Sequence, residues 1–94
     1  MKIKKKIDFP QRLNDKRKKI DLIDKKMLSL LNRRLRMARE VGKIKREMGE
    51  NIYDPKRERE VLEKLKIKNR GLLKNKDIMK IFGAIMKVCR QSQA

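Results

Sequence analysis

The chain has 94 residues, enough for one domain, of which 38% are hydrophobic and 45% charged. Thirty Lys and Arg against twelve Asp and Glu leave a formal charge of +18 and a pI near 10.6. This balance favours an anionic partner: nucleic acid, an acidic membrane surface or a small polyanion. With no histidine and one cysteine, Cys89, the sequence excludes a Cys–His couple, an intrachain disulfide framework and a Cys/His zinc cluster, and it carries neither a Gly-rich phosphate loop nor G-x-S-x-G.

Residues 1–12 read as a basic, solvated arm ending at Phe9-Pro10, ahead of a helical domain over 13–94. The arm lacks the apolar stretch of a secretory signal, and no apolar run reaches the roughly 20 residues that span a bilayer. A cytoplasmic location is expected, with no membrane partner.

Apolar residues then recur at helical spacing from Leu13 to Met48, with no turn signal before Gly49. One heptad column is Leu13, Ile20, Met27, Arg34, Val41, Met48; another is Arg17, Asp24, Leu31, Ala38, Lys45. About 36 helical residues at about 1.5 Å each give roughly 54 Å. A compact domain of this size is roughly 32 Å across. Such a helix overhangs its own domain, and a second copy is the simplest surface for the overhang. The thin core of so small a chain argues the same way.

Past Gly49-Glu50-Asn51 and a short extended Ile52-Tyr53, Asp54-Pro55 reads as an N-cap followed by Pro at the first helical position. A second helix runs to about Lys68 with Val61, Leu62 and Leu65 inward, and Asn69-Arg70-Gly71 breaks it. A third begins near Lys76 or Asp77, with the stripe Ile78, Ile81, Phe82, Ile85, Met86, Cys89. The expected architecture is all-α: long, short and medium helices.

Several polar groups lie on these apolar faces. Arg34 interrupts an otherwise apolar column; either it reaches out to solvent or an anion meets it. Lys45 is eleven residues on, about three turns, so the two share a face about 16 Å apart. They could bracket a ligand of about 10 Å. Arg17 is about 42 Å from Lys45 along the axis and could join the same site only on an antiparallel partner copy. Arg57 and Glu58 lie one turn before the inward residues of the second helix. Gln93 continues the stripe of the third, although a Gln in such a last turn is ordinarily just solvated. Cys89 reads as a small core residue. Arg, Lys, Glu and Gln suit positioning and electrostatic stabilisation better than nucleophilic chemistry.

Three blocks carry a resemblance. The first comprises 17–24 (RKKIDLID), 30–34 (LLNRR) and 38–45 (AREVGKIK). The second is 52–58 (IYDPKRE) with Val61-Leu62. The third is Ile81-Phe82, Ile85-Met86 and Cys89-Arg90. In this order and spacing the chain resembles the all-helical (AroQ-class) chorismate mutases over roughly Leu13 to Gln93. The resemblance implies an intertwined homodimer that converts chorismate to prephenate by a Claisen rearrangement, without cofactor or metal. It places Arg34 and Arg57 on the substrate's carboxylates and Arg17 in trans from the other subunit. It places Lys45 and Gln93 on the ether oxygen, Glu58 on the ring hydroxyl and Asp54 beside it. Cys89 falls where the family often has a small polar residue. Arg33 and Arg36 depart from the family, which commonly has an acidic neighbour there. No second catalytic domain is present in the sequence, so either the enzyme is monofunctional or this is one domain of a longer chain. An isochorismate-pyruvate lyase of the same fold is the runner-up, disfavoured by the 54–58 block and Gln93. A basic helical nucleic-acid-binding protein, which would not explain Arg34, is a weaker reading, as is a helical dimer without activity.

Overall fold

The computed structural model describes residues 8–93, which form three α-helices and no strand. They are α1 (Phe9–Met48), α2 (Pro55–Lys68) and α3 (Asn75–Gln93). The expected arm at 1–7 lies outside the described residues, but 9–12 are helical, so α1 begins four residues before the expected Leu13. Asp8 is the reason. Its carboxylate accepts from Gln11 N at 3.0 Å and its carbonyl from Arg12 N, so Asp8-Phe9-Pro10 is a cap-and-Pro helix start.

Each later boundary has a similar local cause. Gly49 adopts φ 74°, and Glu50 N returns to Lys45 O at 2.8 Å, the pattern of a left-handed C-terminal cap. The Asp54 carboxylate accepts from Arg57 N at 3.0 Å to start α2. Asn69 ends it: its N–H bonds Leu65 O, its side-chain amide donates to Leu73 O, and its side-chain oxygen accepts from Gly71 N. Asp77 reaches back to Lys74 N at 3.1 Å, which fixes the start of α3 at Asn75, slightly earlier than expected.

The fold divides after Leu30 into two compact units. In the first, the described part of α1 is exposed on every side, including Leu13, Ile20 and Met27. In the second, α2 packs on α3, and the buried residues are Ile78, Met86 and Cys89 of α3 with Gly42 of α1. Ile81, expected in the α3 stripe, is exposed, as are Val41 and Met48 of the α1 column that Arg34 interrupts. Within the chain alone the inward residues of α1 are Arg34, Leu35, Ala38, Gly42 and Lys45.

Nothing lies within 4 Å of a side chain built on Gly49, so substitution there meets only backbone strain. Gly49→Ala is expected to lower stability by about 1 kcal/mol, read by urea unfolding at fixed protein concentration; unchanged stability would show that the end of α1 relaxes out of the left-handed conformation.

Candidate active site

In the second unit the inward face of α1, the start of α2 and the last turns of α3 enclose a cleft of about 290 Å³. α1 contributes Arg34, Met37, Ala38, Val41 and Lys45; Asp54, Arg57, Glu58 and Val61 come from the α2 region; α3 contributes Met86, Cys89, Arg90 and Gln93. The cleft thus gathers Arg34, Lys45, Asp54, Arg57, Glu58, Cys89 and Gln93 from the residues singled out in the sequence. Arg17 is exposed in the first unit and is not among the lining residues.

The polar groups are held by bonds that leave donors unused. Arg34 is half-buried, and its Nη1 donates to Cys89 Sγ at 3.0 Å. A guanidinium has five N–H donors, so this bond orients the group without consuming it. Cys89 therefore acts as an acceptor as well as a core residue. Lys45 Nζ donates to Ile52 O at 3.2 Å and lies 3.7 Å from Asp54 Oδ2. The same Asp54 caps α2, so one carboxylate ties the ammonium to the helix that carries Arg57 and Glu58. Gln93 is half-buried rather than solvated, and its Nε2 donates to Ala38 O at 2.8 Å. A primary amide has two N–H groups and an ammonium three, so both side chains keep a donor for a ligand.

Arg90 is a cleft residue to which the sequence reading assigns no role. Its Nε lies 3.0 Å from Glu58 Oε2, an ion pair outside hydrogen-bond angles, and its guanidinium sits 4.8 Å from the Tyr53 ring centroid. The signal was available, because Arg90 is four residues after Met86 and so continues the α3 stripe. Nothing in the spacing pointed to Tyr53. The lining holds four cations, Arg34, Lys45, Arg57 and Arg90, against two carboxylates, Asp54 and Glu58. A surplus of two positive charges complements a small dianion. Among the described residues no cluster of His, Cys, Asp or Glu could hold a metal ion, and no helix is long and apolar enough to cross a membrane.

The sequence model of the chorismate mutase type II family matches residues 16–94. The bifunctional chorismate mutase/prephenate dehydratase of Aquifex aeolicus is 35% identical over 83 residues, covering 84% of this chain but 23% of that protein. The chorismate mutase of Methanocaldococcus jannaschii is 39% identical over 56 residues, covering 60% of this chain and 57% of that protein. The match therefore covers about a quarter of the first relative's length and less than two thirds of the second's. Among solved structures, chorismate mutase (form II) from Thermus thermophilus superposes with a TM-score of 0.85 at 35% identity, covering 87% of this chain and 93% of that one. The chorismate mutase of Helicobacter pylori in complex with prephenate gives 0.83 at 31% identity, covering 88% and 90%.

The Glu58–Arg90 pair is partly screened, with side chains 23% and 30% exposed. A double-mutant cycle of Glu58→Gln and Arg90→Met should give a coupling of about 0.5–1 kcal/mol in urea unfolding; additive losses would mean that the two charges do not interact in solution.

Proposed function

This chain belongs to the chorismate mutase type II family, and on that premise we propose that it rearranges chorismate to prephenate in the cleft of the second unit. The observation that carries the reading is the charge of that cleft: a surplus of two cations, with Lys45 and Gln93 each keeping a donor. The rearrangement breaks a C–O ether bond and forms a C–C bond within one molecule, so it needs no acid, base or nucleophile from the protein. It needs a dianion held compact with its reacting ends together, and donors placed where negative charge develops on the ether oxygen.

The residues divide between these tasks. Arg34 and Arg57 hold carboxylates, and the Cys89 contact keeps Arg34 oriented before substrate arrives. Lys45 and Gln93 donate to the ether oxygen. Lys45 must carry its charge to do so, whereas the Gln93 amide donates without protonation. Glu58 accepts from the ring hydroxyl, with Arg90 bracing it from behind, and Asp54 holds Lys45 beside it. No metal or organic cofactor enters this scheme.

We further propose a homodimer in which Arg17 acts in trans. Leu13, Ile20 and Met27 leave an apolar column at least half exposed in the first unit. Exposed apolar area of this extent calls for a partner surface, and a second long helix supplies one. Arg17 lies on that same stretch and outside the cleft of its own chain.

Purified protein should consume chorismate and form prephenate, and Arg34→Ala should lower kcat/KM by about a hundredfold or more. Wild-type protein that leaves chorismate untouched overturns the activity; formation of salicylate from isochorismate instead would select the lyase. Fully active Arg34→Ala overturns the site. Mixing Arg17→Ala with Arg57→Ala subunits should restore activity toward roughly a quarter of wild type, since half the dimers are mixed and each mixed dimer holds one whole site; no recovery would mean that Arg17 does not act in trans.

A further inference from the structure

Gly42 is buried inside α1, where glycine is disfavoured relative to alanine. Its surroundings explain its presence. A Cβ at residue 42 would lie 2.9 Å from Gln93 Cβ, 3.0 Å from Gln93 Cγ and 3.4 Å from Gln93 Cα. These are the root and backbone of the side chain, not its flexible end, so an added methyl must displace α3 or swing the glutamine. Gly83, a helical glycine of α3, shows no such crowding: nothing lies within 4 Å of a Cβ there. The close approach at Gly42 is held from both sides. One turn earlier, Ala38 O accepts the Gln93 amide at 2.8 Å. One turn later, Arg46 Nη1 donates to Gln93 O. Arg39 Nε reaches Ser92 Oγ at 2.7 Å.

We propose that Gly42 is a positioning residue for the reaction: by having no side chain it lets α3 seat Gln93 against α1, and so sets the position of the Gln93 amide in the cleft. This rests on the chorismate mutase reading for its kinetic consequence and on the close approach alone for its structural one. A donor to the ether oxygen acts mainly in the transition state, so displacing it should lower kcat and leave KM nearly unchanged.

The test compares wild type, Gly42→Ala, Gln93→Gly and the double variant by chorismate kinetics and thermal unfolding at one protein concentration. Gly42→Ala alone should lower Tm and cut kcat by about 10- to 100-fold, the scale of a misplaced or lost donor. In the Gln93→Gly background, which removes both crowded side-chain atoms, the same substitution should raise Tm through helix propensity and cause no further loss of kcat. If Gly42→Ala alone is too unstable to assay, recovery of folding by Gln93→Gly supports the contact and failure to recover overturns it. A higher Tm with wild-type kcat for Gly42→Ala, or kinetic losses that add in the double variant, overturns the proposal. If wild type is inactive on chorismate, the enzymatic reading and the kinetic role built on it fall together, while the reversal in Tm still decides whether Gly42 seats Gln93.

Discussion

A side chain at residue 42 would occupy the space taken by the root of Gln93. The last turns of α3 lie against α1 on this condition, and two walls of the cleft meet there. The surrounding contacts depend on it: the Gln93 amide reaches Ala38 O, Arg46 closes on the final described carbonyl of α3, and Arg39 meets Ser92. Cations at the carbonyl end of a helix also interact favourably with the negative end of its dipole, so the same arginines that supply basic charge anchor the element carrying Gln93. A part of the +18 charge thus has a structural use that composition does not reveal.

The second organising feature is electrostatic. Four cations in one cleft repel each other unless something sets their spacing. Here each of three is committed to a fixed neighbour: Arg34 to Cys89, Lys45 to Ile52 O and Asp54, and Arg90 to Glu58 and Tyr53. The two carboxylates reduce the repulsion without cancelling the surplus. For the proposed rearrangement this is preorganisation: the donors are oriented before the substrate arrives, so little reorganisation accompanies the reaction. Arg57 is the exception, exposed in the first turn of α2 with only its backbone N–H committed to Asp54, and it is free to fold over a bound carboxylate.

Among the described residues the core is small, with Ile78, Met86 and Cys89 as its buried hydrophobic side chains. The larger apolar surface lies along α1 and is uncovered. In the proposed dimer this surface and the shared site have one explanation: the helix that needs a partner also carries the arginine its partner's cleft would use. Stability and activity would then depend on protein concentration together.

The sequence by itself determined the helices and most of the residues in the cleft. Helix ends are local: Asp54-Pro55, Gly49 and Asn69 act within a few positions, so they are legible without tertiary structure. Asp8-Phe9-Pro10 carries the same kind of signal and starts α1 four residues before Leu13, where the apolar periodicity begins. Arg34, Lys45 and Gln93 stood out because helical periodicity marks a polar side chain on an apolar face. Tertiary structure alone decided which groups meet. Arg34 and Cys89 are 55 positions apart, as are Ala38 and Gln93, and no local rule relates such pairs. It also chose the inward face of α1, which follows Arg34, Ala38, Gly42 and Lys45, while Val41 and Met48 of the Arg34 column stay exposed. The role of Gly42 belongs to the same class: a missing side chain has meaning only once a second helix approaches it.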